Sequence, residues 1–255
     1  MADKWHRVAV LLSLITPFLS SCALVKENRD PCPCRLEIRL TGIIEAPSRV
    51  LVNAGDESWN YFAAGDTVIF TYVPRGKVTV TAWSGASEPL DGSFIIPEGS
   101  CAPPLYLCQC TVDAVGDEAI ANARLRKQYC TLQISVDGPP GWGEPFGTAI
   151  RGSVKGISTD GIPLEGPFNC SLGDHTGYWS LRIPRQDPSS PLFLDIVMAD
   201  SVVRTFSLGS CLLDAGYDWS AADLGDLDLQ LRLSVTSLTI RPPSWEPEAF
   251  LSIEI

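Results

Sequence analysis

From residue 35 onward the chain repeats one pattern: short runs in which apolar and polar residues alternate, each closed by a glycine or proline turn. Leu36, Ile38 and Leu40 alternate with Glu37, Arg39 and Thr41. A side-chain period of two belongs to a strand with one face in a core and the other in water. Val68 to Val73 is a second β-rich run, and Pro74-Arg75-Gly76 turns it into Lys77 to Trp83. Phe94-Ile95-Ile96 stops at Pro97-Glu98-Gly99, and a Pro- and Cys-rich stretch runs from Cys101 to Cys110. Residues 113–127 fit both a helix over Asp117–Lys127 and a strand with its connection. The alternation restarts at Cys130 with Leu132, Ile134 and Val136, so a domain boundary is expected near residue 127. Beyond it, strands are expected around 148–157, 178–183, 192–198, 202–207, 227–240 and 250–255. Turns are expected at Asp137 to Gly141, Thr159-Asp160-Gly161, Gly173-Asp174 and Pro188 to Pro191. Leu208 to Ala215, stopped by Gly216, is the one good short-helix candidate. Many short strands with regular turns imply an all-β chain of β-sandwich domains.

The first 21 residues are of another kind. Lys4, His6 and Arg7 precede Val8 to Leu19, twelve residues without a charge. A bilayer span needs about 20 apolar residues, so this is the length of a signal-peptide core. It ends in Leu19-Ser20-Ser21-Cys22, which resembles the lipobox of bacterial lipoproteins. Cleavage before Cys22 and acylation of that cysteine would leave lipid as the anchor, each buried methylene contributing about 0.8 kcal/mol. The expected organisation is a signal peptide at 1–21, a lipidated tether at 22–34, and two domains at 35–127 and 128–255.

The mature chain of 234 residues would hold 17 basic and 29 acidic residues, net −12. That surface argues against nucleic acid and anionic headgroups as partners. Eight cysteines remain besides Cys22: Cys32, Cys34, Cys101, Cys108, Cys110, Cys130, Cys170 and Cys211. An even number in an exported chain reads as disulfides. Cys32-Pro33-Cys34 and Cys108-Gln109-Cys110 raise zinc as a rival, but structural zinc sites more often use C-x₂₋₄-C spacing. Pairing is expected within two groups, six cysteines in or beside the first domain and Cys170 with Cys211 in the second.

Catalytic chemistry has little to stand on. The mature chain has one histidine, His175, in the loop-like Gly173 to Gly177. It carries neither G-x-S-x-G, nor a phosphate loop, nor a dinucleotide fingerprint. Asp223, Asp226 and Asp228 alternate with leucines, the pattern of a strand entry with acids facing water rather than a glycosidase pair. Trp59, Trp83, Trp142, Trp179, Trp219 and Trp245 are spread evenly, as core and corner residues are, with Trp83 and Trp179 inside strand patterns. No catalytic residue, metal site or cofactor is expected.

A set of short blocks in shared order resembles the FimB-like fimbrial anchor lipoproteins of Bacteroidota. They are Cys22 with Val25 to Arg29, Cys32-Pro33-Cys34, Val73-Pro74-Arg75-Gly76, Ile96-Pro97-Glu98-Gly99, Cys101 to Tyr106, and Lys127-Gln128-Tyr129-Cys130. Pro145-Phe146-Gly147, Gly152 with Gly156, Asp160-Gly161, Ile183-Pro184-Arg185-Gln186, Arg204 to Gly209, and Gly216-Tyr217-Asp218-Trp219 complete the series. The resemblance implies two tandem transthyretin-like β-sandwich domains and a non-catalytic role. That role is to hold the base of a fimbrium on the outer membrane and limit its assembly, with fimbrillin-type pilin subunits as partners. It also implies Cys101 as a partner of the Cys32–Cys34 pair. Two other functions remain open: a glycan-binding surface lipoprotein, and a polymerising pilin-like subunit cut after an arginine such as Arg35 or Arg49.

The chain ends on Phe250 to Ile255, with Leu251, Ile253 and Ile255 on one face of an expected strand. Six residues reach about 20 Å, enough to add a strand to an open sheet edge in a partner. The alternative is the last strand of the second domain.

Overall fold

The computed structural model describes residues 32–42, 46–137, 146–175, 178–198, 201–232, 237–241 and 251–254. The expected signal peptide, Cys22, most of the tether, Trp142, Trp245 and Ile255 lie outside these residues. The described chain is all-β with one short helix. In chain order the strands are β1 (Cys34–Thr41), β2 (Ser48–Ala54), β3 (Glu57–Ala63), β4 (Thr67–Val73), β5 (Gly76–Ser84) and β6 (Ser93–Ile95). Next come β7 (Tyr106–Ala114), β8 (Glu118–Arg124), β9 (Arg126–Lys127), β10 (Tyr129–Asp137), β11 (Phe146–Ser158) and β12 (Pro163–His175). The last are β13 (Tyr178–Pro184), β14 (Leu192–Met198), β15 (Ser201–Phe206), helix α1 (Leu208–Asp214), β16 (Leu227–Arg232), β17 (Ser237–Arg241) and β18 (Leu251–Glu254).

The first half is a sandwich of a three-stranded sheet, β4-β1-β8, on a five-stranded sheet, β3-β2-β5-β7-β9. Its core follows from the alternation: Leu36, Ile38 and Leu40 meet Val50, Val52, Val78 and Val80, all fully buried. The ambiguous stretch 113–127 is strand, and β8 lies parallel to β1. The second half stacks β13-β10-β16-β17-β18 on β12-β11-β14-β15. Leu132, Ile134, Ile150, Leu181, Leu194, Ile196 and Leu229 fill the space between them. Helix α1 buries Leu208, Cys211 and Leu212 in the same core and stops before Gly216.

One segment crosses this division. The connection from β5 to β7 leaves the first sandwich, and its strand β6 pairs with β11 of the second, Ile95 opposite Gly156. Ala102 then donates to Arg182 at 2.9 Å. Trp83, Leu105 and Leu107 of the first half close over Phe94 and Ile157 in a third apolar cluster. Two glycines permit the route. Gly85 has φ +78, and a Cβ there would stand 1.9 Å from the Pro104 carbonyl oxygen. A Cβ on Gly156 would stand 2.2 Å from the Phe94 carbonyl oxygen, so only glycine lets β6 approach β11.

Candidate functional site

The acidic cluster is a latch. Asp228 is exposed on β16, as a strand entry requires. Asp223 and Asp226 do more than face water. Asp223 accepts the Lys127 backbone N–H at 2.9 Å, and Asp226 accepts Lys127 Nζ at 2.6 Å and the Thr131 N–H at 2.7 Å. Burial alone would raise the Asp226 pKa, but these donors hold it below the usual carboxylate range. The two carboxylates therefore tie the second sandwich to the strand that enters it. His175 ends β12. Among the described residues there is no group of three His, Cys, Asp or Glu that could hold a metal ion.

The cysteines depart from expectation. Cys101 and Cys170 form a disulfide, their Cα atoms 4.9 Å apart. This excludes both expected pairings, Cys101 with the Cys32–Cys34 pair and Cys170 with Cys211, and it joins the two groups that were expected to stay separate. The reason is the crossing segment, which carries Cys101 out of the first sandwich and against the core of the second. Cys32 is an exposed thiol, and Cys34, Cys130 and Cys211 are buried thiols. Cys108 and Cys110 stand half-buried on one face of β7. The Cys110 thiol donates to Cys108 and brings its pKa down to about 7 against the opposing effect of burial. Burial pushes the Cys130 thiol up to about 12.

Several blocks that carry the sequence resemblance meet in space. Arg185 is buried, and its guanidinium donates to Gln128 Oε1 at 2.8 Å, to the Trp219 carbonyl, and to the Lys127 and Ala222 carbonyls at 3.3 and 3.4 Å. It thereby fastens Lys127-Gln128 and the Trp219 loop to the end of β13. Arg75 does the same at the tether end, donating to the Cys32 and Val115 carbonyls at 3.0 and 2.9 Å and to Asp117 at 2.9 Å. The sequence marks both arginines inside short blocks. Their partners lie 34 to 58 and 40 to 43 positions away, so neither role is readable locally. Trp83, Trp179 and Trp219 are buried, and Trp59 is half-buried.

Each sheet ends in two edge strands among the described residues, β4 and β18 being two of them. β4 borders the three-stranded sheet, and β18 borders the five-stranded sheet of the second half. β18 pairs antiparallel with β17, Leu251 opposite Ile240 and Ile253 opposite Leu238. No family model and no curated protein matches this sequence. Solved structures do. The fold is shared with the fimbrial anchor protein Mfa2 from Porphyromonas gingivalis. The match has a TM-score of 0.57 at 14% identity and covers 84% of this chain and 98% of Mfa2. A Bacteroides thetaiotaomicron protein described as a candidate polysaccharide-binding protein aligns with a TM-score of 0.61 at 13% identity, covering 86% of this chain and 98% of its own. A candidate adhesin from Bacteroides ovatus aligns with a TM-score of 0.58 at 12% identity, covering 87% and 95%. The fold shared with Mfa2 thus covers 84% of the chain.

Proposed function

We propose that this chain is a non-catalytic, lipid-anchored surface protein that holds the base of a fimbrium on the outer membrane and limits its assembly. The observation that carries the reading is the fold shared with Mfa2 over 98% of that anchor protein. The ordered sequence blocks support it independently, because Arg75 and Arg185 within them fasten the tether end and the junction between the sandwiches. Lipid on Cys22 attaches the chain to the membrane, and fimbrillin-type pilin subunits are its partners. The two expected domains, 35–127 and 128–255, are the anchor's membrane-side and fimbrium-side halves. Leu251, Ile253 and Ile255 form the strand offered to the first pilin. The Cys22→Ala substitution tests the reading in cells. The variant is expected in the soluble fraction, folded, with fimbriae shed into the medium. Fimbriae that remain attached at wild-type number and length in that strain would falsify the anchor role.

A further inference from the structure

The first sandwich carries an exposed aromatic face at the end where the tether arrives. Arg35, at the start of β1, pairs with Tyr72, and Glu37 pairs with Phe70 on one side and Ile120 on the other. On this outer face Val68, Phe70, Tyr72 and Ile120 are 48, 55, 65 and 46% exposed. Cys32 and Pro33 lie against the same end, where with Trp59, Tyr72 and Arg75 they line a cavity of about 470 Å³. Tyr72 and Trp59 therefore stand beside Cys32, and Phe70 and Val68 continue the row along β4.

The charges on the face itself are paired, and Glu57 adds one acid beside it at the cavity. Arg35 pairs with Glu118 at 3.2 Å, Arg39 with Glu37 at 2.6 Å, and Arg75 with Asp117 at 2.9 Å. The Arg35 guanidinium also lies 4.7 Å from the centre of the Phe70 ring. A net-acidic chain would be held off anionic headgroups by its overall field. This face escapes that repulsion because its own charges are paired. Aromatic rings with an arginine stem at their edge are what the headgroup boundary of a bilayer accepts.

We propose that this face seats on the bilayer interface beside the lipid anchor, so that the first sandwich lies against the membrane. The inference rests on the lipid-anchor reading above. Ten residue steps separate Cys22 from Cys32, a reach of at most about 36 Å when extended. The face is thus confined near the surface, and tethering makes a contact too weak to hold a free molecule effective. The row is made of Phe, Tyr, Val and Ile, whose gain comes from removing apolar area from water. The seat accordingly needs no anionic lipid and withstands salt.

The test uses the mature chain with a histidine tag in place of Cys22, held on phosphatidylcholine vesicles through a nickel-chelating lipid. Hydrogen exchange is compared with that of the same chain free in solution. Peptides covering Thr67–Val73 and Glu118–Arg124 should slow roughly tenfold on the vesicle, at low and high salt alike. A Phe70→Ser/Tyr72→Ser variant should lose the slowing while it stays bound through the tag with an unchanged melting curve. Val68→Asp, farther along the row, is the second variant, with the same expected loss. Unchanged exchange in the wild-type chain overturns the seat. So does slowing that requires phosphatidylglycerol and disappears in salt. Slowing caused by soluble fimbrial subunits but not by vesicles assigns the β4 edge to a protein partner and also overturns it. The tag replaces the lipid, so none of these outcomes depends on acylation of Cys22. The mass of the chain extracted from membranes reads that separately.

Discussion

Asp195 shows how one buried charge is made tolerable in the second sandwich. Its carboxylate is 2% exposed and accepts Arg151 Nε and Nη2, the latter at 3.1 Å, and Thr205 Oγ1 at 2.6 Å. The Arg151 hydrogen bonds hold its pKa below the usual carboxylate value, against the opposing effect of burial. Asp195→Asn should cost about 1–2 kcal/mol at neutral pH, the low end for a charged pair because Arg151 is half in solvent. The folded pKa lies below the unfolded one. The contribution is therefore complete above the unfolded carboxylate range and fades as pH falls through the folded value. Urea midpoints of wild type and variant should begin to converge as pH falls below about 4. A gap that stays constant into acid would mean that the charge is not what Asp195 contributes. Little of this is legible in sequence. Asp195 stands between Leu194 and Ile196 in an apolar run, and the partner that neutralises it is 44 positions away.

Among the elements, the clean alternations were readable and the irregular strands were not. β1, β5, β10 and β13 each show a period-two core face, so their existence follows from hydrophobic burial alone. β12 was hidden by Pro163, Gly166 and Pro167, and Gly173-Asp174, expected as a turn, lies within it. Its partner β11 makes room with register shifts between Gly152 and Gly156, a device that short-range pattern does not encode. β7 was hidden because Cys108-Gln109-Cys110 reads as a cysteine motif before it reads as a strand. Gly156 links pattern to packing. Gly156→Ala would drive a methyl into the Phe94 carbonyl, so β6 should lift from β11. The expected cost is about 2–3 kcal/mol in thermal or urea unfolding, with faster exchange confined to residues 93–102. Equal stability of Gly156→Ala would show that β6 is dispensable. β18 offers the opposite case, an edge strand whose ladder among the described residues is with β17. Deleting Leu251 to Ile255 should lower Tm by only about 2–4 °C, near 1 kcal/mol, and abolish co-purification with pilin subunits. A steep fall in Tm would make this strand part of the second core and remove it as a partner strand.

At the scale of the whole molecule, the crossing segment and the Cys101–Cys170 disulfide make the two sandwiches one stapled unit. The two-sandwich plan was visible from turns and alternation, but the staple was not. Chain order assigned Cys101 to the first half, and only the three-dimensional path of residues 93–102 takes it to the second. The bond closes a stretch of 69 positions, which should contribute about 4 kcal/mol by restricting the unfolded chain. Cys101→Ser/Cys170→Ser should therefore melt roughly 10 °C lower, and a matching melt would mean that the non-covalent contacts between the halves hold them together without the bond. The staple also changes how the molecule bears a pull. Force entering at Cys32 and leaving at β18 runs through the sulfur–sulfur bond and bypasses everything between Cys101 and Cys170. That bypassed length includes strands of both sandwiches and about 230 Å of contour. An oxidised molecule stretched from its ends would thus stop lengthening about 230 Å short of a reduced one, and under shear it would give way only in its outer parts.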